Sequence, residues 1–251
     1  MNMLEKGGLM ENLRQNEEIP KLYRDGDGPD VVITAGGTRE MIDDVRSISN
    51  ISTGALGAAL AEYYYRRGNK VLLLAPQPVF NMCPTLSHEE TWGVTRGRFE
   101  AFESAADLRR LLLGVSSARL VLHAAAVSDY IPVKVDGKIP SDEEEITLRL
   151  KRAPKILAEL RDHFGDDATI VGFKLLSGAS EEELIRAGTD QISKNQTDYC
   201  IANDLSERGS RLPPRSKRVA HVVYPDGSHD TVRTGEFEQG VARFIAETID
   251  I

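Results

Sequence analysis

Asn50 closes the run Ile48-Ser49-Asn50, immediately ahead of Ser52-Thr53-Gly54. A carboxamide donates and accepts, so it suits a carbonyl or a developing oxyanion; the plainer part for such a residue is to form a turn. Asp129 ends the small-residue run His123-Ala124-Ala125-Ala126-Val127-Ser128. Its carboxylate could bond a ribose or a base, or simply cap a turn. His123 opens the same run and reads as a packed, hydrogen-bonded imidazole rather than a base. Lys138 lies in the segment Asp136-Gly137-Lys138-Ile139-Pro140. An ammonium on a projecting segment could cover phosphates as a point charge, or be only a solvated lysine. Lys174 and Lys194 would offset a polyphosphate if they converged on one sheet edge. Composition alone does not bring them together.

These groups need a frame, and the stretch Val31 to Gly57 supplies its start. Val31-Val32-Ile33-Thr34 reads as a buried strand, Ala35-Gly36-Gly37-Thr38 as a tight turn, and the polar stretch after it as a long loop. Ser52 and Thr53 are expected to cap a helix through Leu60 to Arg66. Glycines admit close backbone approach, and a helix N-terminus presents unpaired N–H groups to an anion. Such a turn points to nucleotide or phosphate binding, although every α/β fold needs turns of this kind.

Further along, Val71-Leu72-Leu73-Leu74-Ala75 and Leu120-Val121-Leu122 are continuous apolar runs, as strands covered on both faces require. Pro76 to Arg98 reads as loop, and Phe102 to Leu113 has helical spacing. Ile131 to Ser141 holds two prolines, and Ile146-Thr147-Leu148-Arg149-Leu150 alternates like an exposed-face strand. Together they predict a flap over about 130–152. A helix is expected over Pro154 to Phe164, a strand over Thr169 to Phe173, and a helix capped by Ser180 and ending near Asn195. A strand follows at Tyr199 to Ala202. Arg218 to Tyr224 and Asp230 to Thr234 flank the hairpin signal Pro225-Asp226-Gly227, and Phe237 to Ile251 is amphipathic. Strands alternate with helices, so the fold class is α/β: a Rossmann-like, largely parallel, doubly wound sheet with a projecting flap. Residues 1–29 are expected as a polar extension and 30–251 as a single domain.

The chain has 251 residues, 41% of them hydrophobic, and a net charge of −8. A negative chain argues against nucleic acid as the main partner. The basic run Arg211 to Arg218 reads as a solvated turn or a local phosphate contact. Cys83 and Cys200 lack metal-ligand spacing and are expected as reduced thiols in a cytoplasmic protein. The first residues are too polar for a signal peptide, and no run is long enough to span a membrane.

Two motifs compete for the function. Tyr130-Ile131-Pro132-Val133-Lys134 matches the Tyr-x-x-x-Lys pair of short-chain dehydrogenases. That pair must share a helical face, and Pro132 between them would break the helix. The glycine spacing also fails G-x-G-x-x-G, and Leu74-Ala75-Pro76 stands where an acidic residue should end the second strand. An NAD(P)-dependent oxidoreductase and a non-catalytic nucleotide sensor are kept as rival readings.

The second set runs in order through the chain. It comprises Ile33-Thr34-Ala35-Gly36-Gly37-Thr38-Arg39-Glu40, Asp44-Val45-Arg46, Ile48-Ser49-Asn50 with Ser52-Thr53-Gly54 and Gly57, Ala124-Ala125-Ala126-Val127-Ser128-Asp129-Tyr130, Gly137-Lys138-Ile139, Lys151 through Leu157, Val171-Gly172-Phe173-Lys174-Leu175, Lys194-Asn195 and Ala202-Asn203-Asp204-Leu205. In this order they resemble phosphopantothenate–cysteine ligase, in a stand-alone form. The resemblance implies a ligase of coenzyme A synthesis that joins 4′-phosphopantothenate to L-cysteine through an acyl-nucleotidylate. A nucleoside triphosphate with Mg²⁺ would be consumed, CTP ranking ahead of ATP. Asn50 would stabilise the acyl-nucleotidylate and Lys138, on the flap, would serve the activation step. Nucleotide contacts would come from His123, Ala124, Ala125, Asp129, Pro154, Lys155, Ile156, Leu157, Phe173 and Lys194. Gly37, Ser52, Gly54, Gly57 and Asn203 would line the cleft. No protein ligand to a metal is implied, and a homodimer with the flap at the subunit contact is. The chain departs from the pattern at Ala55, where many members carry Lys or Arg, at Asp190, where a lysine is frequent, and at Leu176-Ser177, where Glu-Thr is common.

Overall fold

A computed structural model describes residues 28–86, 96–142, 144–205, 218–233 and 236–249. Most of the 1–29 extension and most of the basic run Arg211 to Arg218 lie outside the described residues, as does Thr234.

The chain starts with β1 (Val31–Thr34), then β2 (Arg39–Met41), β3 (Ser47–Ser49), α1 (Ala55–Arg66), β4 (Val71–Ala75) and α2 (Gln77–Phe80). Next come β5 (Gly97–Ala101), α3 (Ala105–Leu113), β6 (Leu120–His123), β7 (Tyr130–Pro132) and β8 (Leu150–Arg152). A 3₁₀ turn (Ile156–Glu159) leads into α4 (Leu160–Phe164), β9 (Thr169–Leu176), α5 (Glu181–Asn195) and β10 (Tyr199–Asp204). β11 (Val219–Val223), β12 (His229–Arg233) and α6 (Phe237–Thr248) complete the described chain.

Among the described residues, eight strands form one sheet in the order β12-β11-β10-β9-β6-β1-β4-β5. From β5 to β10 every neighbouring pair is parallel, while β11 pairs antiparallel with both β10 and β12. The parallel part has the doubly wound order, and its direction of winding reverses between β1 and β6. That reversal opens a crevice at the carboxyl ends of the two strands, beside Thr34 and His123. The Rossmann-like expectation is met.

Why β1 forms the centre follows from its sequence. Its residues are apolar or β-branched and all are buried. Alternation then sends Val31 and Ile33 to one face and Val32 to the other. The first face packs on α1 and α6 through Leu60, Tyr64, Val241 and Ile245. The second packs on α3 and the 156–164 segment through Leu108, Leu112, Ile156 and Leu160.

Several boundaries differ from the sequence reading. The polar stretch after Gly37 is not a loop but the β2–β3 hairpin. Gly54, in the left-handed region, occupies the cap position of α1, and no side chain caps it. Ser52 is not a cap, and Thr53 only accepts from the Ala55 N–H, at 3.3 Å. The expected helix from Pro154 begins instead as the 3₁₀ turn at Ile156, with extended Lys155 before it. The alternating run 146–150 is not the flap strand; pairing falls on Leu150–Arg152 against Tyr130–Pro132. Gly97–Ala101 is an edge strand where loop was expected. Its Arg98 is buried and bonds Glu100, so polar residues disguise a strand.

The helix at Ser180 is as expected. Ser180 accepts from the Glu183 N–H while Glu183 accepts from Ser180 N–H, closing a capping box. The turn between β11 and β12 also falls at Pro225-Asp226-Gly227.

Gly57 lets α1 lie on β1. A methyl group added there would come within 2.3 Å of the Ala35 Cβ. Alanine ordinarily favours a helix interior over glycine, but here the clash opposes it. Gly57→Ala is expected to destabilise by roughly 1–3 kcal/mol, as overpacking does, and urea unfolding measures it. A stabilised variant would show that the helix stands off the strand.

Candidate active site

Two loops meet at the carboxyl ends of β1 and β6. Gly37 bridges Ala126 in parallel fashion. Ala126 N–H donates to the Gly36 carbonyl at 2.7 Å, and Thr38 N–H to the Ala126 carbonyl at 3.3 Å. Ser128 N–H donates to the Thr38 hydroxyl at 3.0 Å, and that hydroxyl donates to Ser128 Oγ at 3.2 Å. The Gly37 backbone lies so close to Asn50 that a Cβ there would come within 2.5 Å of the Asn50 carbonyl. Glycine at 37 therefore permits the two loops and the hairpin base to converge.

Asn50 sits at this junction. Its Nδ2 donates to the carbonyls of Ala126 and Val127, each at 3.2 Å. Those bonds hold the amide nitrogen against the loop while the residue itself remains exposed. Beside it, α1 begins. The N–H groups of its first turn, including Leu56 and Gly57, have no intrahelical acceptor and offer an anion site. Gly54, with φ of 73°, brings the chain into that helix.

His123 is buried. Its Nδ1 lies 3.0 Å from the Thr34 hydroxyl, which also accepts from the Ala125 N–H at 3.0 Å. Burial pushes the imidazole down to about 4, so it is neutral at pH 7. It shapes the loop and is no base. Its folded pKa lies below the unfolded value, so its contribution to stability is intact above about 6.5 and is lost as pH falls toward 4. Between pH 7 and pH 5 the expected loss is about 2 kcal/mol. Urea midpoints at the two pH values should show it, with a smaller loss in His123→Gln. Equal losses in both proteins would contradict the assignment.

Asp129 follows the same loop. Its carboxylate forms an exposed ion pair with the Lys155 ammonium, and its carbonyl accepts from Ala153 N–H at 2.8 Å. Thus the 123–129 loop and the 153–157 segment are joined. The third side of the crevice is built by Gln191 of α5, which donates to the Phe173 carbonyl at 3.2 Å. A methyl group at Gly172 would meet Gln191 Oε1 at 2.4 Å and Leu157 at 3.3 Å. Hence Leu157, the Gly172-Phe173 backbone and Gln191 share one corner, and Lys194 stands one turn further along α5. Pro154 and Phe173 are half-buried at this rim, and Asn203 lies at the end of β10.

Two of the expected contact residues also serve packing, which leaves only their backbone to face a ligand. Ile156 is buried in the core below α3, and Gly57 is pressed on Ala35.

Lys138 takes a different place. The flap is clamped to the β2–β3 hairpin: Ile139 N–H donates to Asp43 Oδ2, Gly137 N–H donates to Asp44 Oδ2, each at 3.0 Å, and Arg46 reaches the Ile139 carbonyl at 3.1 Å. Burial works to raise the Asp43 pKa, but N–H donors from Val45, Ile139 and Arg46, with the Arg46 charge, outweigh it and hold the carboxyl below its usual range. Lys134 pairs with Asp44 at 2.7 Å. Lys138 therefore sits at the hairpin's tip, while Asn50 follows its base; the four residue steps from Arg46 to Asn50 span roughly 13 Å when extended. Within one chain Asn50 and Asp129 share the crevice and Lys138 stands apart from them.

Sequence reasoning missed Asp43 and Gln191. Asp43-Asp44-Val45-Arg46 carries an Asx-turn signal, since Asp43 Oδ1 accepts from the N–H groups of Val45 and Arg46. Gln191 has no local signal. Tyr130 and Lys134, the dehydrogenase-like pair, stand on and just after strand β7 rather than on a helix. Cys83 and Cys200 are buried free thiols, each pushed up to about 12 by burial. No described helix is long and apolar enough to cross a membrane.

The geometry has counterparts among known proteins. The family model of the DNA/pantothenate metabolism flavoprotein C-terminal domain matches residues 27–250. The coenzyme A biosynthesis bifunctional protein CoaBC of Methanocaldococcus jannaschii is 36% identical over 186 residues, 72% of this chain and 42% of that protein. The protein of the same name from Bacillus subtilis is 36% identical over 203 residues, 80% of this chain and 46% of its own. The chain thus spans less than half the length of these curated relatives. The crystal structure of the DNA/pantothenate metabolism flavoprotein from Streptococcus pneumoniae superposes with a TM-score of 0.70 at 27% identity, covering 88% of this chain and 97% of that one. A Cab2 mutant in complex with phosphopantothenate-cysteine shares the fold, with a TM-score of 0.67 at 22% identity over 87% of this chain and 84% of that one.

Proposed function

Because the chain belongs to the family of the DNA/pantothenate metabolism flavoprotein C-terminal domain, we propose that it is a phosphopantothenate–cysteine ligase. It joins 4′-phosphopantothenate and L-cysteine at the expense of a nucleoside triphosphate, CTP ahead of ATP. One observation carries the reading. The Asn50 amide is anchored on the 126 and 127 carbonyls at the point where the sheet's winding reverses, between a helix N-terminus and the Asp129–Lys155 pair.

A carboxylate is a poor electrophile toward an amine. Its oxygen attacks the α-phosphorus of the triphosphate, and pyrophosphate leaves. The cysteine amine then attacks the acyl carbon, the nucleoside monophosphate leaves with the carboxylate oxygen, and the amide remains. Such catalysis rests on positioning and on charge stabilisation. Asn50, whose two Nδ2 hydrogens rest on the Ala126 and Val127 carbonyls, turns one of them to the acyl-nucleotidylate in exchange for a loop bond. The 123–129 loop and the 154–157 segment hold the nucleoside, with Phe173 beside them, and Lys194 faces the phosphates. Lys138 offsets charge on the triphosphate during activation. Magnesium accompanies the triphosphate. The Asp129 carboxylate is already tied to Lys155, so this donor set suits an ion carried on phosphate oxygens rather than in a carboxylate cage.

The flap's place supports a homodimer in this scheme. Val133, Val135, Ile146 and Leu148 are exposed there. They border a groove of about 550 Å³ that Lys138 also lines. A second copy seated on this face would cover the apolar surface and carry its Lys138 toward a neighbouring crevice. Reaction in the cytoplasm is part of the same proposal.

Pyrophosphate release tests the reading. Release that needs phosphopantothenate and is supported by CTP or ATP, with product forming only when L-cysteine is present, is the expected result. No release with either nucleotide overturns it. Nucleotide binding without turnover would favour a sensor instead.

A further inference from the structure

We propose that Glu181, His221 and His229 form a binding site for a divalent transition metal of the zinc class. It lies at the antiparallel edge of the sheet, away from the crevice. The sheet itself brings two of the ligands together. His221 lies on β11 opposite Thr231 of β12, and His229 lies two residues from Thr231, so both imidazoles project from one face. Their rings are 5.6 Å apart between centroids. The third ligand comes from another element. Glu181 begins α5, which packs on β11, and its Oε1 lies 3.4 Å from His229 Nε2. One ligand atom from each of the three side chains lies within 4.8 Å of the other two.

The donor set decides the class of ion. Two imidazoles and a carboxylate suit zinc and its neighbours, whereas magnesium and calcium take oxygen donors. Two ligands about 2.0–2.1 Å from a tetrahedral zinc stand roughly 3.3 Å apart, close to the observed His229–Glu181 separation. The remaining separations need only a small closure of the exposed side chains. A supporting contact is also present. His221 Nδ1 lies 3.2 Å from the Thr231 hydroxyl, which leaves Nε2 free for the ion, as partners of metal-bound histidines do. His221 is buried, while the His229 and Glu181 side chains are 30% and 50% exposed, so the site is anchored below and open above.

An ion pair between His229 and Glu181 alone would not require the second imidazole. With a metal bound, the β11–β12 hairpin would be fastened to the start of α5. Three strand spacings, about 14 Å, separate β11 from β6, so the proposal is independent of the ligase reading.

The test uses the full chain without an affinity tag, stripped with a chelator. Zinc chloride is titrated against a competing chromophoric chelator, and thermal unfolding is followed in parallel. One ion per chain and a raised Tm are expected, with millimolar magnesium failing to compete. Cobalt(II) should give the visible bands of a tetrahedral site. His229→Ala and Glu181→Gln, both on exposed positions, should each weaken zinc binding by about 10- to 100-fold or more and remove the Tm rise. Absence of stoichiometric binding, or binding unchanged in the two variants, overturns the site. Loss of pyrophosphate release with zinc binding intact would strike the ligase reading alone.

Discussion

Asn50→Ala is expected to bind nucleotide yet lose turnover by about 10²- to 10³-fold, the usual effect of deleting one preorganised donor. The expectation follows from what holds the residue. Its Nδ2 bonds two successive carbonyls of the loop after β6, so the side chain is fixed before substrate arrives. The variant removes the donor and leaves the glycine turn and the start of α1 in place. The two released carbonyls belong to half-buried residues beside the exposed Asn50 position, where water can replace the lost bonds, and the Ala126 carbonyl keeps its bond from Thr38 N–H. Thermal stability should therefore change little while amide formation fails. The decisive readout is pyrophosphate against amide product, with nucleotide affinity measured alongside. Normal turnover in the variant would contradict the role given to Asn50. An equal loss of nucleotide affinity and turnover would show that the residue serves binding alone.

Lys138→Gln should suppress the activation step by a comparable 10²- to 10³-fold, because in the proposed scheme it deletes the cation that a second copy brings to the triphosphate. Lys138 is exposed and forms no ion pair among the described residues. The flap around it is held by the backbone bonds of Gly137 and Ile139 to Asp44 and Asp43, which glutamine leaves untouched. Quenched-flow sampling should find the acyl-nucleotidylate missing or slow to form. Its appearance at the normal rate would refute the assignment. The variant also probes assembly. If the lysine acts on a second copy's crevice, mixing Lys138→Gln protein with Asn50→Ala protein should restore activity in the mixed dimers.

Much of this architecture was readable in the residues. The apolar runs at Val31, Val71 and Leu120 can be buried only in a sheet covered on both faces, and the sheet is so built. Ser180 with Glu183 announced its helix by a local hydrogen-bond pattern. The β2–β3 hairpin was hidden because its strands are short, partly exposed and polar, and their pairing depends on Asp43 ordering the turn. Gly97–Ala101 was hidden because an Arg98–Glu100 pair hides a buried arginine in a polar-looking sequence. Around the crevice, local patterns located Asn50 and the 123–129 loop. They could not reveal that Asp129 pairs with Lys155, or that Gln191 supports the Phe173 backbone. Those contacts join segments far apart in the chain and leave no local pattern. Nor could any local pattern show that Lys138 is held at the far end of a hairpin from Asn50.

The central claim is that the crevice between β1 and β6 activates a carboxylate by transfer of a nucleotidyl group. Its most direct test is isotopic. With ¹⁸O in the carboxylate of 4′-phosphopantothenate, complete reaction with L-cysteine and nucleoside triphosphate should deliver one ¹⁸O to the phosphate of the nucleoside monophosphate, read by mass spectrometry. Label that appears in inorganic phosphate, with nucleoside diphosphate as the other product, would contradict the account.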